Sequence, residues 1–265
     1  MRALIALVLS FFGTVVAADT MRLAVTTSFH NSGLSDVLLP AVKEDTGLDV
    51  QLLVVGTGQA LRLGQAGDVD AILVHSKAAE EAFVAEGYGT HRREIMYNDF
   101  VLIGPASDPA DIKDATTASE ALQKIAEAQV AFVSRGDDSG THRKERALWE
   151  DASLDPEQFT EWYNAVGAGM GASLNTASGL DAYILSDRAS WLKFANKGGL
   201  AMLFAGDPEM FNQYGYLPVN PERHPHVRTD AAQKLEDWLT SSAGQSVIDG
   251  YQINGEKLFT FNAVP

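Results

Sequence analysis

Short apolar, β-branched runs alternate with segments of helical spacing along most of the chain, and no other feature restricts its fold so strongly. Residues 21–27, 50–55 and 71–74 read as strands. Residues 34–45, 59–65 and 77–86 read as helices, with Gly47 and Gly87 as stops. This alternation predicts βαβ units, and therefore largely parallel sheets flanked by helices. A longer strand-like run, 94–104, ends at Gly104-Pro105. The pattern then resumes with a helix over 119–128, a strand over 130–133 and a helix over about 139–150. Gly-rich segments interrupt it at 167–171 and 198–199, before a strand at 214–219 and helices at 229–239 and 244–249. With no repeat and no Pro/Ser-rich linker, the expected architecture is two α/β lobes joined by extended crossings at about 97–105 and 214–219. Lobe I would comprise 19–100 and 217–265, and lobe II 101–216. One doubly wound lobe is the alternative.

The N-terminal stretch carries Arg2, an apolar run and the small residues Val16-Ala17-Ala18. The run, about 14 residues, is short of the roughly 20 that a spanning helix needs. It has the form of a secretory signal over residues 1–18, cleaved near Ala17 or Ala18, and the mature chain is expected in a periplasm. The 265 residues include no cysteine, which excludes a disulfide scaffold, a thiolate zinc site, an iron–sulfur cluster and a cysteine nucleophile. The formal net charge of −15 argues against non-specific nucleic-acid binding and against docking to an anionic membrane. It says little about a small anion held at close range, which responds to local donors.

Four turns share one design, in which hydroxyl or glycine residues stand between a strand and a helix. They are Thr26-Thr27-Ser28, Gly56-Thr57-Gly58, the run from Ser134 to Thr141, and Gly169-Met170-Gly171-Ala172-Ser173. A helix start offers unpaired N–H groups and the positive end of the dipole. Glycine permits close approach, and Ser and Thr add hydroxyl donors. Converging in one crevice, such starts would make an anion cage. Taken singly, each is also an ordinary cap. Arg135 can reach a bound oxyanion or pair with Asp137 or Asp138.

Other constellations carry less. His142 and Glu145 lie one helical turn apart without a second metal-like cluster, and His224 and His226 sit among prolines in what reads as a surface loop. No nucleophile elbow, Walker motif or dinucleotide fingerprint is present. Trp149, Trp162, Trp191 and Trp238 read as core or lobe-surface aromatics, and Asp187-Arg188 as an internal ion pair. Ser139, His142 and Asp138 suggest a hydrolase only weakly, because capping explains residues so close to a helix start. No metal and no cofactor is expected.

Longer stretches extend these turns: VGTGQAL at 55–61, AILVH at 71–75, MYNDFVLIGP at 96–105, SRGDDSGTH at 134–142, GMGASL at 169–174 and DAYILSDRASWL at 181–192. With TTS at 26–28, SGL at 32–34 and LLP at 38–40, they run in order over nearly the whole mature chain. The chain thereby resembles the tungstate-binding proteins of Tup-type ABC importers, within the periplasmic substrate-binding proteins. Relatives commonly show a third Thr where this chain has Val25.

The resemblance implies a type II two-lobed fold, each lobe a mainly parallel sheet flanked by helices, with two crossing strands as hinge. The implied ligand is tungstate or molybdate, held between the lobes and delivered by a monomer to an inner-membrane ABC permease. The implied binding groups are Thr27, Ser28, Thr57, Gly58, Ser134, Arg135, Thr141, Met170 and Gly171. Within the same fold, the residues at 135–141 also resemble the motif of periplasmic phosphate-binding proteins, where an Asp accepts the ligand's proton; Asp137 would have that role. Delivery to a sensor rather than a permease stays open.

Overall fold

The computed structural model describes residues 19–137 and 139–264; the expected signal, residues 1–18, lies outside them. The chain begins with β1 (Asp19–Thr26), α1 (Thr27–Ser32), α2 (Ser35–Thr46), β2 (Leu48–Val55), α3 (Thr57–Ala66), β3 (Ala71–Val74) and α4 (Lys77–Ala85). The long strand β4 (Arg93–Pro105) follows, then α5 (Ala118–Ala128), β5 (Phe132–Ser134), α6 (Gly140–Asp151), β6 (Tyr163–Ala165), α7 (Met170–Leu180), β7 (Tyr183–Asp187) and α8 (Arg188–Lys193). It closes with β8 (Leu200–Phe204), β9 (Phe211–Pro218), α9 (Thr229–Leu239), α10 (Ser242–Gly250), a small hairpin of β10 (Gln252–Ile253) and β11 (Glu256–Lys257), and β12 (Thr260–Phe261).

Strands β2, β1 and β3 are parallel neighbours, as are β6, β5 and β7. β4 belongs to both groups. Its first part, Arg93–Asp99, pairs antiparallel with β9, and its second part, from Phe100 onward, pairs antiparallel with β7 and β8. Pairing therefore passes from one half-sheet to the other between Asp99 and Phe100. The returning strand pairs on the first half-sheet from Phe211, opposite Asp99, a few residues before the expected crossing at 214–219.

Register also fixes direction. β3 and β4 both run antiparallel to β9, so β3 points toward the crossover; β7 runs antiparallel to β4, so it points back toward it. The carboxyl ends of both parallel sets thus face each other across the switch, the place where open α/β sheets bind ligands.

Packing follows the same division. Phe132 and Trp149 anchor the second half-sheet's outer core, with Leu122, Ile125 and Tyr183 buried beside them. The largest apolar cluster runs from Leu23 and Val25 through Met96 and Val101 to Ile184 and Trp191, under both halves. Arg188 does not pair with Asp187, as adjacency suggested. It makes a two-pronged contact of 2.6 and 2.5 Å with Asp99 at the crossover, while Asp187 caps α8 by accepting from the Ser190 amide.

Candidate functional site

Thr26 and Val55, the last residues of β1 and β2, are register partners, so the starts of α1 and α3 lie side by side. Ser134 and Ala165 are likewise partners at the ends of β5 and β6, which sets the starts of α6 and α7 together. Their loops are tied by Val166 N–H to the Ser134 carbonyl at 3.0 Å and by Ala168 N–H to the Arg135 carbonyl at 3.1 Å. Gly136, at φ +60°, is required there: a Cβ would stand 2.9 Å from that of Ala165.

The four starts differ in how their amides are served. Thr26 caps α1 by accepting from the Phe29 N–H at 3.2 Å, and Ser139 caps α6 by accepting from the His142 N–H at 3.2 Å. α3 and α7 begin at Gly56 and Gly169, and neither has a side-chain cap. Nothing lies within 4 Å of a Cβ built at Gly56, Gly169 or Gly171, and none of the three has a positive φ. Neither packing nor backbone geometry demands glycine at these places. Their effect is to leave open space in front of uncapped amides.

Arg135 is mostly buried, with a side chain 16% exposed. Its Nη2 donates to Asp137 at 2.5 Å, and its buried Nε has no partner. Asp137 accepts from the Ser139 amide and hydroxyl on its other oxygen, at 3.3 and 2.6 Å. Desolvation pushes this carboxyl up, but the bonds from Ser139 and Arg135 outweigh it and hold Asp137 below its ordinary value. It stays ionised, with both oxygens engaged.

The remaining expected groups fall as follows. Thr27 and Gly58 are exposed and Ser28 and Thr57 half-buried. Thr141 is buried in the first turn of α6. Met170 opens α7 with its side chain in the core, so only its backbone can serve a ligand; Gly171 is exposed. Ser134 is fully buried. Its hydroxyl accepts from the Gly136 N–H and pairs with His142 Nδ1, both at 3.2 Å, a placement that supports the loop from beneath. Asp138 lies outside the described residues.

Beneath Ser134, Tyr163 donates to the buried Glu145 at 2.6 Å, and burial raises the Glu145 carboxyl to about 7. His224 and His226 donate to the Gln65 and Gly67 carbonyls, each at 2.9 Å. No group of three or more His, Asp or Glu positioned for a metal ion occurs among the described residues.

Sequence reasoning assigned no role to His75, which stands just past β3 with its Nε2 2.9 Å from the Ser28 hydroxyl. Its Cε1 lies 3.6 Å from a Cβ built on Gly140, so the first residue of α6 approaches it from the other half-sheet. Its sequence signals are its position at the carboxyl end of an apolar run, where βαβ folds place ligand groups, and its place at the end of the AILVH stretch at 71–75.

Comparison with known proteins identifies the family. The chain matches the PBP superfamily domain over residues 15–243. It is 45% identical to the tungstate-binding protein TupA of Peptoclostridium acidaminophilum, covering 93% of this chain and 87% of that protein. The solved structure of the tungstate-binding protein TupA from Desulfovibrio alaskensis G20 superposes with a TM-score of 0.90 at 43% identity, covering 93% of this chain and all of that one. That of the tungstate ABC transporter from Geobacter sulfurreducens gives 0.76 at 45% identity, over 89% of this chain and all of that one. These relatives are substrate-binding transport proteins. With two half-sheets meeting at a shared crossover, the chain has the two-lobed type II periplasmic-binding fold and belongs to the TupA family within the PBP superfamily.

Proposed function

We propose that the protein captures tungstate between its half-sheets and passes it to an inner-membrane ABC permease, acting as the importer's periplasmic component. The observation that carries this reading is the buried, unpartnered Nε of Arg135, on the loop that enters α6 and is hydrogen-bonded to the loop before the uncapped start of α7. A buried donor without a partner costs roughly 1–3 kcal/mol, and an anion lodged there satisfies it. The binding groups are Thr27, Ser28, Thr57, Gly58, Arg135, Thr141 and the backbone of Met170 and Gly171, with Ser134 holding the loop. Molybdate, equal in charge and similar in shape, fits the same cage. The protein works as a monomer, without cofactor or catalysis, after export through a cleaved signal.

Near neutral pH tungstate is a tetrahedral dianion that offers acceptors and no proton, so a cage of donors matches it. A protonated phosphate needs an acceptor for its O–H and loses roughly 1–3 kcal/mol without one. Asp137 is the natural candidate for that acceptor, but Arg135 and Ser139 engage both its oxygens. Closure of the lobes would complete the cage; the ligand shifts that equilibrium only by its preference for the closed form. Calorimetry on ion-stripped protein with tungstate, molybdate, sulfate and phosphate tests the assignment. Tight tungstate binding and no phosphate heat are expected, and the reverse pattern overturns it.

A further inference from the structure

α3 carries one charged residue, Arg62, and its side chain folds back toward the helix start. Helical side chains lean toward the N-terminus, so this guanidinium reaches residues three and four places earlier. Gln59 Oε1 accepts from Arg62 Nε at 3.1 Å and from Nη2 at 2.8 Å. Nη1 is thereby turned to Gly58, 3.6 Å from where a Cβ on that residue would stand. Gly58 follows the uncapped start at Gly56, which register sets beside the start of α1.

The partner that holds Arg62 is a neutral amide. Two other cations near helix starts face carboxylates instead: Arg135 meets Asp137 at 2.5 Å, and Lys77 meets Glu81 at 4.0 Å. Arg62 is exposed, and Gln59 leaves its charge whole. The placement also runs against the helix dipole, whose positive end opposes a cation drawn back over the first turn. An anion seated at that end is attracted by both.

Acidic residues are distributed in keeping with this. The first turns of α1, α3, α6 and α7 contain none. Those of α2, α4, α5 and α9 contain Asp36, Glu80, Glu120 and Asp230. A chain of net charge −15 repels a dianion from afar, but within a Debye length the local charges decide. An unneutralised guanidinium over an acid-free first turn reverses the sign of the field there.

Resting on the tungstate reading, we propose that Arg62 is a second cationic residue of the oxyanion site: exposed beside the start of α3, it draws the dianion to Thr57 and Gly58, and Gln59 holds it in place. The two arginines then differ by burial. Arg135 acts through a desolvated contact that salt screens little, whereas Arg62 acts through water and is screened.

Tungstate calorimetry on ion-stripped, full-length mature protein at ionic strengths of about 20 and 500 mM separates the two modes. Arg62→Gln should weaken binding about fivefold at the lower ionic strength and less than twofold at the higher. Arg62→Lys, which keeps the charge, should stay within about twofold throughout. Gln59→Glu, which keeps the arginine but neutralises it, should lose at least as much as Arg62→Gln. Lys43→Gln makes the same change in net charge near the amino end of β2, where Lys43 pairs with Asp49, and should leave affinity unaltered. Any one of three results overturns the proposal: full affinity in Arg62→Gln at low salt, a loss of the same size at both ionic strengths, or an equal loss in Lys43→Gln. A salt-independent loss would mark Arg62 as a structural support of α3. Absence of tungstate binding by the unmodified protein instead refutes the functional reading, whereas tight binding that ignores Arg62 refutes this inference alone.

Discussion

The helix starts at the crossover form two kinds, and each half-sheet supplies one of each. α1 and α6 are capped by Thr26 and Ser139; α3 and α7 begin at glycine with no cap. The capped pair carries the side-chain chemistry: the Thr26–Ser28–His75 chain on one side, and Arg135, Asp137 and Ser139 on the other. The uncapped pair contributes backbone and open space. A single motif, hydroxyl or glycine before a helix, thus has two physical meanings. In one the amides are satisfied internally and the start becomes a rigid mount; in the other they remain available to an anion.

The sharpest way to break this division is Arg135→Ala, which removes the guanidinium on the loop that enters α6. Tungstate affinity should fall roughly a hundredfold, about 3 kcal/mol, with the melting temperature little changed; calorimetry beside thermal denaturation reads both. If affinity holds, Arg135 serves only its pairing with Asp137.

Glu145 tests whether the capped side is a preassembled mount. Its folded pKa of about 7 exceeds the ordinary 4.5, so between those values the folded protein binds a proton that the unfolded chain has lost. Stability from this group therefore declines as pH rises through that window, by up to ~3 kcal/mol. His75 acts oppositely: its folded value of about 4 lies below 6.5, so its contribution is lost as pH falls from 6.5 toward 4. The two offset each other over the shared range. Glu145→Gln should leave the His75 effect less opposed, so that the melting temperature falls more steeply on acidification below pH 6.5 than in the unmodified protein; a profile identical to the unmodified protein's would remove Glu145 from the account.

On the uncapped side, Gly171→Ala places a methyl group in the open space beside the first turn of α7. Affinity should fall about tenfold, or ~1.4 kcal/mol, while thermal stability holds or rises, since Ala is the better helix former by roughly 0.5–1 kcal/mol. Loss of both together would mean the glycine is structural. The smallest effect is expected for Ser139→Ala, which deletes a cap and should lower stability by about 1 kcal/mol, measurable by denaturant titration, with affinity reduced less than in Gly171→Ala.

Much of the first half-sheet was legible in the sequence, because β1 to β4 and the helices between them follow the 2- and 3.6-residue periods they obey. In the second half-sheet β6 has only three residues, too few for periodicity. Residues 167–171 read as a Gly-rich interruption, although Met170 already opens α7 with its side chain in the core. The arrival of β9 at Phe211 is set by pairing with Asp99, a long-range contact without local signature. The four helix starts were visible as turns, but their division into capped and uncapped depends on which side chain folds back. Ser134 illustrates the limit. Its residue type suits an oxyanion, yet at the end of β5 its side chain faces inward to His142. His75 was missed for the converse reason, since 47 residues separate it from the hydroxyl it touches.

One strand, β4, forms part of both half-sheets, and Arg188 grips it at Asp99, where they meet. The jaws of this cleft are therefore two stretches of one continuous ribbon. Any gaping between them must be absorbed as twist in β4 and β9 near Asp99 and Phe211 and by give in the apolar cluster that runs under both halves. Amide exchange should accordingly be fastest around those two residues when the trap is empty, and slow there once cargo clamps it shut.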